Sequence, residues 1–595
     1  MYKVHGVFAF LLCLFITEAV LAREVIVVHN QAEFDCMNSL LVKAINGKEK
    51  DVRVYLMPGQ YEYQEQHIKL IGLKQPLKSV RIIGKGAVLV PQGKIFHQGD
   101  KYEGRFTVNN SWISDGSDVD NWSNVRYADG LIEVLDANTK VCRLKSKEPF
   151  KNEIDTKNAY ILVTQWYMSY VYKIDKIEDN FVYFTANNLA PKSGIAGGYN
   201  VNNDYYYAKQ NPRYKICNID RFDSGLSILD GVICIPDFIG PVKEGFSNTL
   251  VKVEDCGFSL LSVEDINIRG GSNVKFASTI DLKRSTCKKV RIKGCEFTGI
   301  RSSAIINIES TPNVVIENNH FDNCYQYGIL TDNESANTVV RNNTFLRMGK
   351  RMNNSFCVAC RGKDFSVTGN YFEDYGYGAI TCGVWYGSPK KDVCKGVVED
   401  NTLVYTDGYI STIEDHSLMD GGAIYLATKM DGVIVKNNRI YGFSGAEDNR
   451  GIFCDDGAYN YELVGNVING IENSYCIDAR RCPHVEVTKA PNSGVEHANV
   501  NIVIRDNVVD GTIRFEGNEI EDNGCVYGTN YFVKESGTKR PVLTLSNVSI
   551  NGESVSVITN GRKNGKVLVS PDGYKILKKN GEWRSLKKYF KKAGQ

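Results

Sequence analysis

Between about Lys289 and Val509 one short phrase recurs: alternating apolar residues, a small polar pair, then an aromatic or aliphatic residue. It reads Val290-Arg291-Ile292-Lys293-Gly294-Cys295-Glu296-Phe297, then Val314-Val315-Ile316-Glu317-Asn318-Asn319-His320-Phe321. Its polar landmark is Cys295, Asn319, Asn343, Asn370, Asn401, Asn438, Asn466 and Asn507, with steps of 24, 24, 27, 31, 37, 28 and 41. A step near 24 with longer intervals marks a repeat architecture carrying loop insertions. Val-x-Ile alternation and β-branched residues make the units strands, and no ten-residue helical stripe interrupts them. A short helix-free repeat of strands predicts a parallel β-solenoid, each turn about 4.8 Å above the last. At the bend the Asn amide can donate to and accept from the backbone of neighbouring turns.

Ahead of the repeat, Glu24-Val25-Ile26-Val27-Val28 is strand-like, Ala32 to Ile45 has helical spacing (Phe34, Met37, Leu40, Leu41, Ala44, Ile45), and Val52 to Met57 runs into Pro58-Gly59-Gln60-Tyr61. This order resembles the opening of many right-handed β-helix proteins, in which the helix plugs an end that would otherwise expose core and a free edge. The chain divides into residues 1–22, a signal peptide; 23–94, the cap and first turns; 95–248, a β-rich insertion; 249–510, the coil; and 511–595, a β-rich tail. The expected fold class is all-β: a right-handed parallel β-helix with an N-terminal capping helix and an inserted antiparallel β domain.

Met1 to Ala22 has a secretory signal's order: Lys3, an apolar run from Val7 to Thr17, and small residues before Arg23. That run is short for a bilayer, and no later stretch is apolar enough to cross one. The protein is expected to be secreted or periplasmic. A formal net charge of +2 argues against nucleic acid as a partner. Many of the 17 cysteines fall on strand or ladder positions, where free Cys packs as a small hydrophobe. Cys357 and Cys360 share one strand and lack a second pair at metal spacing, so no metal is expected from them.

The long intervals identify coils with inserted loops, where binding and catalytic groups tend to sit. Two acidic motifs fall there: Met419-Asp420-Gly421-Gly422-Ala423-Ile424-Tyr425 and Gly451-Ile452-Phe453-Cys454-Asp455-Asp456-Gly457. D-G-G-A-I-Y followed one coil later by G-I-[FY]-x-D-D-G is similar to right-handed β-helix glycoside hydrolases of the β-xylosidase and α-L-fucosidase type, on a pectate-lyase-like fold. The resemblance implies that Asp420 and one of Asp455 or Asp456 are the catalytic carboxylates.

Ile424 and Ile452 each precede their landmark Asn by 14, so they should stack, with Asp420 four before one and Asp455 three after the other. On a straight strand that offset of seven spans roughly 23 Å. Glycosidases need about 5–5.5 Å for retention or about 6.5–9.5 Å for inversion, so the pair requires a turn at Gly421-Gly422. With Ile452 and Cys454 inward, Phe453 and Asp455 face out and Asp456 begins the turn, where it could instead cap the backbone. Tyr425, His416, Asp478 and Arg480 are candidate sugar contacts. Three functions follow: a glycoside hydrolase acting on a polysaccharide or oligosaccharide with two carboxylates and no cofactor; a polysaccharide lyase on uronate-containing glycans, often aided by Ca²⁺; or a non-catalytic glycan-binding solenoid.

Overall fold

The computed structural model describes residues 23–91, strands and short turns between 101 and 233, and most of 249–550, with three further strands ending at residue 585. Within 249–550 it leaves out the connections 271–277, 301–303, 325–326, 350–355, 384–393, 407–420, 427–431, 443–449, 456–457, 472–473, 481–499, 518–522 and 533–542.

The chain winds into a parallel coil with three strands per turn. One turn runs Ser278–Lys283, Val290–Lys293 and Glu296–Thr298; the next runs Ala304–Glu309, Val314–Glu317 and His320–Asp322. Each strand pairs in register with its successor, as in Ile280↔Ile306, Val290↔Val314 and Phe297↔Phe321. Three faces result; we number them in the order in which a turn visits them. Their inward side chains form one continuous apolar interior. On the third face Phe297, Phe321, Phe345 and Phe372 stack with ring centroids 4.6–4.8 Å apart.

The recurring polar pair has two jobs. Its first member takes a left-handed turn, at φ 65° for Gly294, 55° for Asn318, 53° for Asn342 and 63° for Gly369, a region open to Gly and Asn. Its second member builds a ladder through the wall. Asn343 Nδ2 donates to Ile316 O at 3.0 Å and to Asn370 Oδ1 at 3.0 Å, while its Oδ1 accepts from the Asn319 backbone N–H at 2.9 Å and from Asn319 Nδ2 at 3.0 Å. The same pattern passes through Asn401, Asn438, Asn466 and Asn507, all 0% exposed. It continues to Asn530, whose Oδ1 accepts from Asn507 Nδ2 at 2.9 Å.

That extra rung lies past residue 510, where the sequence reading ended the coil. Thr512–Glu516 still pairs in parallel with Tyr475–Ala479, and Leu543–Ile550 with Thr512–Glu516; antiparallel Glu553–Thr559 then covers the edge. At the other end α1, Gln31–Asn46, buries Phe34, Met37, Leu41, Ala44 and Ile45, while Leu40 stays 44% exposed. Asn30 caps it by accepting from the Glu33 N–H at 3.0 Å. Lys78 Nζ closes its far end, donating to Gly47 O and Glu49 O at 2.8 Å each. The insertion interrupts the sequence but not the coil, because Ile68–Ile71 pairs directly with Val251–Glu254 and Lys74–Ile83 with Gly257–Glu264. Between those partners lies a seven-stranded sheet whose pairings are antiparallel.

Of the cysteines whose side chains are described, all but Cys36 are buried. Cys357 and Cys360 lie in the strand Phe356–Cys360, where burial pushes the Cys360 thiol up to about 12 and Cys357 well above the usual thiol range. Neither is ionised near neutral pH. No described helix is long and apolar enough to cross a membrane.

Candidate functional site

On most of the coil, burial alternates along each strand, one side chain inward and the next toward solvent. The first face abandons this rule. Phe356–Cys360, Gly378–Cys382, Gly422–Leu426, Arg450–Cys454 and Tyr475–Ala479 are buried at every position. The connections leaving and entering these strands include the long ones, from Cys382 to Lys395, Val404 to Gly422, Tyr441 to Arg450 and Ala479 to Val500. A strand buried on both faces loses the polar half of its pattern, which explains why Gly-Ile-Phe-Cys and Ala-Ile-Tyr-Leu read as solid apolar runs.

The outward residues form an aromatic column beside the interior. Tyr377 packs against Phe356 with centroids 5.4 Å apart, Tyr425 lies 5.7 Å from both, and Phe453 meets Tyr425 edge-on at 5.3 Å. The expected stacking of Ile424 on Ile452 is present, and it places Tyr425 directly on Phe453 and Phe453 on Asp478.

Asp455 terminates this column. It follows inward Cys454, its backbone N–H donates to Leu426 O at 2.9 Å, and it is only 3% exposed. The Tyr425 hydroxyl donates to its Oδ2. Arg480, the next residue along the same corner, brings Nη2 to 3.7 Å from Oδ1 and its guanidinium to 5.2 Å from the Phe453 centroid. Asp455 therefore faces outward as the alternation requires, but under cover rather than into open solvent.

Asp478 has another role than the sugar contact expected of it. It is 0% exposed, and its Oδ1 and Oδ2 accept from Arg514 at 2.7 Å each, with Arg450 Nε adding a bond to Oδ2 at 2.9 Å. Burial alone would raise this carboxyl; Arg514 and Arg450, with Arg480 nearby, outweigh it and hold Asp478 below the usual carboxylate range. Both oxygens are committed to arginines, so Asp478 braces the site. Arg450, 0% exposed, stacks its guanidinium 4.0 Å above Phe453, and Arg514 covers Tyr475 at 4.2 Å. Neither arginine was singled out from the sequence. The signal for Arg450 was a cation opening the run Gly451-Ile452-Phe453-Cys454, opposite Gly422 in the coil register.

Tyr425 is 1% exposed and acts on Asp455 through its hydroxyl; Arg480, at 24%, is the most exposed of the described candidates. Asp420, Asp456 and His416 lie outside the described residues. The glycine pair that follows Asp420 belongs to the strand ladder. Gly422 is the first residue of its strand, the Gly421 carbonyl accepts from the Arg450 N–H at 3.1 Å as part of the ladder, and neither glycine is among those with positive φ. Gly422 serves packing instead, since a Cβ there would stand 2.8 Å from that of Phe453.

The fold is a right-handed parallel β-helix. A family model described as "Right handed beta helix region" matches residues 244–388. Solved structures with a similar chain path include a protein titled "Glycoside hydrolase", with 12% identity, a TM-score of 0.47, and coverage of 89% of this chain and 97% of that one. Another is the A-module of a mannuronan C-5 epimerase from Azotobacter vinelandii, with 10% identity, a TM-score of 0.29, and coverage of 89% and 98%. A third is the DFA-IIIase of Arthrobacter chlorophenolicus, with 10% identity, a TM-score of 0.27, and coverage of 82% and 92%. No curated protein sequence matches the chain.

Proposed function

We propose that the chain is an exported, carbohydrate-active enzyme of the glycoside hydrolase type whose reacting centre includes Asp455. The observation that carries this is the setting of its carboxyl group: sheltered at the end of the aromatic column, accepting the Tyr425 hydroxyl on one oxygen and facing Arg480 on the other. A carboxyl group held as an acceptor suits the ionised member of a glycosidase pair, the nucleophile or base. The general acid is then the other member. Asp456 follows Asp455 directly, with Cα atoms about 3.8 Å apart, so its carboxyl can reach either glycosidase separation without a fold-back. Asp420 reaches it only through a reversal ahead of Gly421. Met1 to Ala22 is the export segment of this reading.

The test is incubation of the purified protein with a panel of polysaccharides and oligosaccharides, followed by assay of reducing ends and of ultraviolet-absorbing unsaturated products. Reducing ends without unsaturation are expected, with a loss of about a hundredfold or more in Asp455→Asn. Unsaturated products would convert the assignment to a lyase. An Asp455→Asn protein as active as the native one would remove Asp455 from the reaction.

A further inference from the structure

Asp455 belongs to a column of residues at one corner of the coil. Cys360, Cys382, Leu426, Cys454 and Ala479 stack in register, so Arg361, Gly383, Asp455 and Arg480, each directly following one of them, share that corner. Arg361 stands three coils before Asp455, about 14 Å away at one strand spacing per coil. Its backbone is fixed: its N–H donates to Thr331 Oγ1 at 2.8 Å, and Gly362 behind it packs so tightly on Ser335 that a Cβ there would lie 1.8 Å from a carbonyl oxygen. Its side chain is half-buried, and its Nε is shut off from water with no hydrogen-bond partner among the described residues. A desolvated guanidinium donor left in that condition is costly. Asp332, one coil earlier, does not relieve it; that carboxylate is taken up by Ser310 and by Ser335. On the side toward Asp455 the next coil offers Gly383, at φ 94°, which puts no side chain in the way.

From these features we infer that Arg361 is an anion-recognising subsite for the saccharide chain processed at Asp455, and that the chain runs along the coil axis. A pyranose unit is about as long as one coil is high, so Arg361 meets an acidic group about three units from the reacting bond. The planar guanidinium fork matches a uronate carboxylate best, and a sulfate ester carries the same charge. This rests on the reading of Asp455 as the reacting carboxylate.

The experiment is calorimetric titration of the full chain with three probes, each at two and five units: an oligogalacturonide, a sulfated galacto-oligosaccharide and a neutral xylo-oligosaccharide. An acidic pentasaccharide should bind more tightly than the neutral one, and Arg361→Gln should weaken it about tenfold to a hundredfold. Arg361→Lys should recover part of the loss, and the disaccharides should be unaffected. The acidic probe that shows this dependence identifies the anion. Equal binding of acidic and neutral pentasaccharides, no binding by any, or an Arg361→Gln affinity within twofold of native would overturn the subsite. Asp455→Asn separates the two readings: it should keep the pentasaccharide affinity and lose turnover. Turnover surviving there would sink the catalytic assignment while leaving the binding result in force.

Discussion

Replacing Asn401 by Leu tests the ladder where it carries the coils of the site. Leu matches Asn in size but cannot hydrogen-bond. Asn401 is 0% exposed; its Oδ1 accepts from the Asn370 backbone N–H and Nδ2 at 3.0 Å each, and its Nδ2 donates to Val367 O and Asn438 Oδ1 at 2.9 Å each. Asn438 Oδ1 keeps the Asn401 backbone N–H, but both Asn370 donors and the Val367 carbonyl lose a partner inside the wall. At about 1–3 kcal/mol for each group left buried and unsatisfied, with partial relaxation, the expected loss is about 3–6 kcal/mol. That is a large share of the roughly 5–15 kcal/mol that holds a domain folded. Denaturant unfolding followed by circular dichroism measures it, and hydrogen exchange should localise the loosening to coils next to Asn401. The exposed pair Asn337–Asn313 gives the control, since Asn337→Gly removes a similar 2.9 Å bond in a left-handed turn that Gly accepts, and should change stability by about 0.5 kcal/mol or less. A loss under about 1 kcal/mol for Asn401→Leu would refute the reasoning, because it would mean that the wall admits water or shifts to reform the bonds.

Two other buried polar groups give sharp expectations. Lys78, 6% exposed, donates to the Ala44 carbonyl in the last turn of α1 and to the Gly47 and Glu49 carbonyls beyond it, so Lys78→Met should destabilise the N-terminal cap by about 2–4 kcal/mol, read by thermal unfolding; an unchanged midpoint would show the carbonyls solvated without it. Asp374 is raised from 3.8 to about 6, chiefly by burial, although the Thr406 N–H at 2.7 Å and hydroxyl at 2.9 Å oppose the rise. A folded-state value above the unfolded one means stability that is full below about pH 4 and lost as pH climbs through about 6, by about 3 kcal/mol. Asp374→Asn should remove that slope between pH 4 and pH 6 in urea midpoints; a slope that persists would place its origin in another group.

The coil was legible because its rule is local and repeated. Each turn needs a left-handed residue, a buried amide and an apolar anchor, and these three stand side by side in Asn318-Asn319-His320-Phe321 and again in Gly369-Asn370-Tyr371-Phe372. Asn530 was missed although Asn530-Tyr531-Phe532 repeats the second of these; β-branched Thr529 stands before it where the other turns carry Gly, Asn or Asp. The site was legible only in part. The register Ile424↔Ile452 followed from counting residues to the ladder, and with it the placement of Asp455 at a strand end. Whether an outward residue is wet did not follow, because alternation gives direction and says nothing about what covers a face. Phe453, Tyr425 and Asp478 all point outward, yet they are at most 1% exposed. Asp478, judged from its neighbours Arg480 and Arg481, looked like a surface sugar contact; its true partners, Arg450 and Arg514, lie 28 residues before and 36 after it, one coil to either side.

The same register limits how the chemistry can be arranged. From Gly422 to Leu426 the strand lies flat against Arg450–Cys454, and Asp455 follows Cys454, the partner of Leu426. A carboxylate on the Asp420 side thus starts at the opposite end of a strand from Asp455. The Tyr425 ring on the strand between these two ends is packed between Tyr377 and Phe453. Asp456 instead follows Asp455 directly. If one of the two motifs supplies both carboxylates, Asp420→Asn should leave turnover near native and Asp456→Asn should abolish it, each measured as reducing-end release on the best glycan of the panel. The reverse result, with Asp420 essential and Asp456 dispensable, would require the chain to reverse direction immediately before Gly421, and would rule out the adjacent pair.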